Sequence, residues 1–319
     1  MKKVLKILGI ILGVIVLVVL LGAATIHFGG IPSYEVKAPD LKVEAYSAMI
    51  AEGKRIAGML CANCHRGEDG KLSGRFMNDL VPEFGKVWVP NITHSDKAKL
   101  HGYSDGELAY LLRSGVKRDG QFAPPWMPKF PLLSDKDLHS IIAYLRSDQP
   151  ELEASDVVQP AAQPSFLTKL LCRVAFKPLP YPEEPVVEPD PSDKVAWGRY
   201  LAVAKFDCYQ CHSADFKTND SFVPENSSGF MGGGNVLIDP TDGKTHIFSA
   251  NITMDKETGI GNWTEEEFSK AVRFAQRPDG KILRPPMVPY AALSEAEVSA
   301  IYAWLQTIPT IHNDVERNW

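Results

Sequence analysis

Cys61-Ala62-Asn63-Cys64-His65 returns later in the chain as Cys208-Tyr209-Gln210-Cys211-His212, and the two stretches together take four of the five cysteines. Two thiols separated by two residues and followed at once by an imidazole form the attachment pattern of c-type haem. On one helical turn each thiol can add to a porphyrin vinyl group, and the adjacent histidine then falls beneath the iron. The spacing by itself also fits a redox dithiol or half of a zinc site; the second copy and the flanking sequence favour haem. The expectation is two covalently bound haem c groups, attached through Cys61, Cys64, Cys208 and Cys211, with His65 and His212 as iron ligands.

Each iron then needs a ligand on its other face. A thioether there is soft and neutral, and so favours Fe(II) and raises the potential. Met127, inside Pro124-Pro125-Trp126-Met127-Pro128, and Met287, inside Pro285-Pro286-Met287-Val288-Pro289, are the candidates. Proline fixes φ on both sides of each methionine, and the two hold the same place in a repeat. Methionine elsewhere is more often core filler, and Met59, Met77 and Met231 are less well placed. His94, His101, His139 and His246 have no counterpart in the other copy and are expected on the surface. With both sixth positions filled neither iron is open to substrate, which points to electron transfer. A dihaem peroxidase, which needs an open iron, is the weaker alternative.

The repeat extends well past the haem motifs. Asn91-Ile92-Thr93 matches Asn251-Ile252-Thr253, and the capping box at Ser104-Asp105-Gly106-Glu107 matches Thr264-Glu265-Glu266-Glu267. Ser134 and Ser294 each open a last helix. From Asn91 to Ser147 the second copy lies 160 residues on, whereas the cysteines lie 147 apart. The second copy therefore carries 13 extra residues, which map to 216–248, where Val236-Leu237-Ile238 and Thr245-His246-Ile247-Phe248 read as a hairpin. The Asn-Ile-Thr segments match a glycosylation acceptor, but their shared position favours the haem crevice, lining the porphyrin or bonding a propionate. Tyr103 and Trp263 are expected at the haem edge or in the core.

Composition sets the frame. The 319 residues suit about two domains, and a net charge of −5 without a basic run offers no footprint for nucleic acid. Lys2, Lys3 and Lys6 precede an apolar run from Ile7 to Ile26, about 30 Å long as a helix and enough to span a bilayer. The lysine bias places the N-terminus in the cytoplasm and the bulk of the chain outside. A cleaved signal peptide with Gly22-Ala23-Ala24 as its processing site competes with a retained anchor, and the length of the run favours the anchor. The fold expected is mainly α: tandem class I cytochrome c domains after one N-terminal transmembrane helix. The divisions are an anchor (1–30), a spacer (31–44), domain 1 (45–148), a stiff proline-rich linker (149–193), domain 2 (194–310) and a tail (311–319). An apolar island, Phe166 to Phe176, interrupts the linker and should pack on a haem domain or a partner, with Cys172 as a buried structural thiol.

Asn251-Ile252-Thr253, Gly259-Ile260-Gly261-Asn262-Trp263-Thr264, Asp279-Gly280, Pro286-Met287 and the helix around Tyr302-Ala303-Trp304-Leu305 resemble the membrane-bound multihaem cytochrome c subunits of bacterial alcohol, gluconate and sorbitol dehydrogenases. The resemblance covers most of 195–309 and, more loosely, 45–147. It implies a subunit that takes electrons from a partnered dehydrogenase and passes them to membrane quinone. It assigns haem binding to Cys61, Cys64, His65 and Met127, and to Cys208, Cys211, His212 and Met287. Such subunits usually carry three haem domains where this chain has two. The expected function is electron relay at the periplasmic face of the cytoplasmic membrane. The expected partners are a membrane redox complex or dehydrogenase subunits, a soluble or membrane electron carrier, and the lipid bilayer around the N-terminal helix.

Overall fold

The structure, a computed structural model, describes residues 1–316; the last three residues of the expected tail lie outside the described residues. Helix α1 (Lys2–Gly29) has no buried residue and is about 42 Å long at 1.5 Å per residue. It is long and apolar enough to cross a membrane.

Helix α2 (Ser47–Leu60) leads into the first haem motif, which forms the short α3 (Ala62–His65). Helix α4 (Asp105–Ser114) starts from the expected capping box, with Ser104 accepting from the Glu107 amide and Glu107 accepting from the Ser104 amide, and it ends at Gly115 at φ 80°. Helix α5 (Asp135–Leu145) is capped by Ser134. The core gathers Ile56, Leu108, Leu133, Leu138, Ile141 and Ile142. Each such burial is worth about 2 kcal/mol, against about 1 kcal/mol for a cap, so the apolar faces hold the helices and the caps fix where they start. Helices α2 and α5 touch backbone to backbone. A Cβ on Gly53 would lie 1.7 Å from the Ser140 carbonyl oxygen, so only glycine fits there.

The second half repeats this plan. Gly198 in α7 (Lys194–Arg199) meets Ala300 of α10 (Glu295–Leu305), where a Cβ would stand 1.9 Å from the carbonyl oxygen. Helix α9 (Glu265–Phe274) and α10 both begin with complete capping boxes. Its core holds Leu201, Val203, Phe206, Met231, Val298 and Trp304. The segment 194–207 that leads into Cys208 is not one regular helix. Gly53 precedes its cysteine by eight residues, Gly198 by ten. The chain absorbs the extra pair by widening into a π-helix over Tyr200–Lys205 and turning through left-handed Asp207 (φ 57°) before α8 (Cys208–His212). Both the helix contact and the cysteine turn keep their places.

Strands β3 (Val236–Ile238) and β4 (His246–Phe248) form the expected antiparallel hairpin, pairing Val236 with Phe248. The hairpin is not part of the insertion. Phe76 bridges Trp88 across the same number of residues in the first half. The amides of Gly74 and Gly233 donate alike to the carbonyls of His65 and His212, both at 2.8 Å, so those glycines correspond at a spacing of 159. Twelve of the 13 extra residues therefore lie between His212 and Gly233, and one follows at the glycine run.

The proline-rich stretch expected as a linker is bonded into the first half. The Leu72 amide donates to Glu151 O and the His94 amide to Leu152 O, and the Gln159 side chain donates to the carbonyls of Ser73 and Gly74. Beyond it, strand β2 (Gln163–Pro164) pairs with β1 (Gly85–Lys86), and the apolar island forms α6 (Phe166–Val174) with Cys172 fully buried. A matching strap closes the second half, where Asn313 donates to the carbonyls of Gly232 and Gly233.

The halves meet through charge. Lys205, only 2 % exposed, reaches Glu52 at 2.9 Å and Asp137 at 3.1 Å. Arg55 joins Glu52 to Glu297, and the Tyr200 hydroxyl donates to Asp137. Met59 of α2 packs into the second core.

Candidate haem-attachment sites

Each cysteine pair lies on a single helical turn, and in each half the preceding helix sets that turn against the core: Cys61 borders the first cluster and Cys208 the second. Helix α2 ends as the Cys61 amide donates to Ala57 O, and the turn continues as the His65 amide donates to Cys61 O. Burial pushes the Cys61 and Cys208 thiols up to about 12, so both are protonated at neutral pH.

The histidines are held by the same device in both halves. His65 Nδ1 lies 3.0 Å from the Pro90 carbonyl oxygen and His212 Nδ1 lies 2.8 Å from that of Ala250. A carbonyl only accepts, so Nδ1 carries the hydrogen and Nε2 keeps its lone pair. Such an outer hydrogen bond fixes a ligand's tautomer and ring orientation. Burial lowers His65 to about 4, outweighing the opposite pull of its Pro90 bond, and lowers His212 as well. Both imidazoles are neutral at pH 7, the form that binds a metal.

The orienting carbonyls stand immediately before Asn91 and Asn251. Both asparagines are buried and fully spent within the protein. The Asn91 Oδ1 accepts from the amide (2.9 Å) and hydroxyl (2.7 Å) of Thr93, and its Nδ2 donates to the carbonyls of Ser155 and Val157, both at 2.9 Å. Asn251 accepts from Thr253 in the same way and donates to Thr258 Oγ1 and Ile311 O. This corrects the expectation that they line the porphyrin or bond a propionate. Their amides lock the loop that carries the histidine's acceptor to the strap behind it, and sequence alone concealed this because the strap partners are backbone atoms some sixty residues away.

Met127 borders the first core, as Cys61 does, in a turn closed by its own amide donating to Pro124 O at 3.1 Å. Met287 is half-buried in the corresponding turn, outside the second core cluster. Just before it, Arg284 keeps Nε and Nη2 buried without a hydrogen-bond acceptor, 3.6 Å being its nearest approach to Asp239. Met231 fills the second core with no exposure. The His94 ring is occupied at Nε2 by the Leu145 carbonyl, 2.9 Å away. Tyr103 and Trp263 pack on the cores, Tyr103 beneath Arg118 and Trp263 accepting from the Tyr302 hydroxyl through its carbonyl.

The donor set fits haem attachment. Paired thiols beside neutral, oriented imidazoles suit thioether bonds and an iron ligand. Among the described residues no three His, Cys, Asp or Glu side chains gather to hold a metal ion. The thiols also lack the lowered pKa of a redox dithiol.

Residues 50–149 match the cytochrome c family and form a cytochrome c domain, which implies covalently bound haem c. The chain is homologous to dehydrogenase cytochrome subunits. It is 25% identical over 266 residues to the fructose dehydrogenase cytochrome subunit of Gluconobacter japonicus, covering 78% of this chain and 50% of that one. The gluconate 2-dehydrogenase cytochrome c subunit of Pantoea cypripedii is 38% identical over 109 residues, 34% of this chain and 21% of that one. A diheme cytochrome c-type protein of Cereibacter sphaeroides is 24% identical over 271 residues, 79% and 82% of the two chains. The chain thus spans about half the length of the fructose dehydrogenase subunit.

Proposed function

We propose that the chain is a dihaem c-type cytochrome, anchored by α1, that relays electrons at the outer face of the cytoplasmic membrane between a membrane redox complex and another electron carrier. The observation that carries this is the recurrence, in both halves, of one haem-motif histidine donating through Nδ1 to the carbonyl that precedes a buried Asn-Ile-Thr. Cys61 and Cys64 would hold one haem and Cys208 and Cys211 the other. His65 and Met127, and His212 and Met287, would ligate the two irons, with Arg284 Nε, which has no hydrogen-bond acceptor, available to a propionate in the second half. Haem so bound supplies a one-electron Fe(III)/Fe(II) couple. The chain's own part is to keep each imidazole neutral and oriented, to bury the porphyrin against its core, and to present methionine from a proline-framed turn. Such a protein is an electron carrier with no substrate chemistry of its own.

The relatives support a more specific reading, in which this electron carrier is the cytochrome subunit of a membrane-bound alcohol or sugar dehydrogenase that delivers electrons to quinone. Mass analysis of the mature polypeptide tests the primary reading: two added porphyrins are expected, and fewer would overturn it. A low-spin, methionine-ligated visible spectrum is expected from both haems. Purification from membranes in mild detergent tests the second: a flavin- or quinone-linked dehydrogenase is expected to accompany the chain, and recovery with respiratory components alone would refute it.

A further inference from the structure

Helix α6 divides into three faces. At 100° per residue, Phe166, Leu170, Val174, Leu167 and Leu171 span an arc of roughly 140°. Thr168 and Cys172 occupy a second face and are buried. Lys169 and Arg173 occupy the third. The buried face is tied to the first half: the Thr168 hydroxyl donates to Phe84 O, and the Ser165 hydroxyl and amide donate to Glu83 O and Phe84 O. The cationic face closes the end of α1. Lys169 Nζ donates to His27 O at 2.8 Å and Arg173 donates to Gly30 O. These are carbonyls that a helix C-terminus leaves without partners, at the end where cations are favoured.

The apolar arc is open along Phe166, Leu167 and Val174, with Leu170 and Leu171 half-buried between them. Phe166 is 41%, Leu167 40% and Val174 66% exposed, and Phe28, in the last turn of α1, is 84% exposed. Between Asp156 and Glu183 the chain has no acidic residue but carries Lys169, Arg173 and Lys177, a local excess of three positive charges in a protein of net charge −5. An amphipathic helix with an exposed aromatic and aliphatic stripe and cations alongside is built to lie in a membrane interface.

We propose that α6 is a membrane-surface helix, lying in the outer leaflet beside the emerging end of α1 with Phe166, Leu167, Leu170 and Val174 at the boundary between head groups and acyl chains. The proposal rests on α1 being a retained anchor. Because α6 is joined both to the end of α1 and to the loop at 83–86, it sets the height and tilt of the first haem-attachment site above the bilayer. The occupant is lipid because α6 is bonded to the emerging end of the membrane-crossing helix through Lys169 and Arg173, which leaves its apolar stripe beside that end, and its flanking charge complements anionic head groups.

The test uses the full-length haem-loaded protein in vesicles of phosphatidylcholine and phosphatidylglycerol, in a Cys172→Ser background, with a nitroxide label at V174C, at I15C in α1, or at D119C as a solvent reference. Accessibility to oxygen and to a nickel chelate is measured at each. Val174 is expected to favour oxygen over nickel severalfold relative to Asp119, as Ile15 does. A lipid-exposed Ile15 with a nickel-accessible Val174 overturns the proposal and leaves the anchor standing. Val174 shielded from both reagents overturns it in favour of a protein partner. Nickel access at Ile15 itself would overturn the anchor.

Discussion

Replacing Lys205 by methionine removes the cation on which the two halves converge. Lys205 and Asp137 are almost fully buried, and the ammonium lies 2.9 Å from Glu52 and 3.1 Å from Asp137. Glu52 keeps Arg55, at 2.7 Å. The Asp137 carboxylate keeps only a neutral partner, the Tyr200 hydroxyl. The variant therefore strands one carboxylate in the interior, and breaking a buried pair in this way costs about 3–5 kcal/mol. Glu52's retained partner and the Tyr200 hydroxyl place the expectation near the lower bound, about 3 kcal/mol, a large share of the 5–15 kcal/mol that a folded domain holds. Adding Asp137→Asn to Lys205→Met keeps the volume and the acceptor for Tyr200 while removing the charge, and should recover about 2 kcal/mol. Guanidinium unfolding of the detergent-solubilised chain, followed by circular dichroism, measures both. A loss below about 1 kcal/mol for the single variant, or no recovery in the double, would refute an interface held by that ion pair.

The same network is sensitive to acid. Although burial pushes Glu52 up, its bonds to Arg55 and Lys205 bring it from 4.5 down to about 2. A lowered carboxyl stabilises the fold above pH 4.5 and loses that contribution as pH falls towards 2. Discounted for partial exposure, the loss is about 1–2 kcal/mol, and Glu52→Gln should flatten the fall in unfolding midpoint over that range. Gly198→Ala drives a Cβ to 1.9 Å from the Ala300 carbonyl oxygen; a loss of about 2 kcal/mol or more is expected in thermal unfolding, with Ala196→Gly on the same helix as a milder control. Asn251→Ala removes four hydrogen bonds, three of them buried, and leaves the Thr253 amide short of a partner. About 3 kcal/mol is expected in denaturant unfolding, with a shift in the spectrum of the haem proposed at Cys208 and Cys211 as His212 loses its fixed acceptor.

What the sequence disclosed was what is local or periodic. The capping boxes at Ser104 and Thr264, the helix start at Ser294, the hairpin of β3 and β4 and the long apolar helix all depend on residues within a few positions of one another, and all stand where the pattern placed them. Partners distant in sequence were hidden. Glu52, Arg55, Lys205 and Asp137 have the look of solvated helix charges, and only the docking of the halves buries them. Residues 149–159 have a linker's composition, but their backbone carbonyls and amides, which composition does not register, tie them to the first half. Asn91 and Asn251 were identified as matched positions through their repeat, but their task was misjudged because a polar side chain near a cofactor motif suggests the ligand before it suggests the backbone.

The straps at 151–159 and 311–313 impose an order on assembly. In each half the loop carrying the histidine's acceptor is fastened in part by chain that follows the last helix. Until that segment is in place the loop lacks the bonds of its Asn91 or Asn251 side chain to the strap. Each half therefore completes the hold on its own loop only when its C-terminal segment has docked.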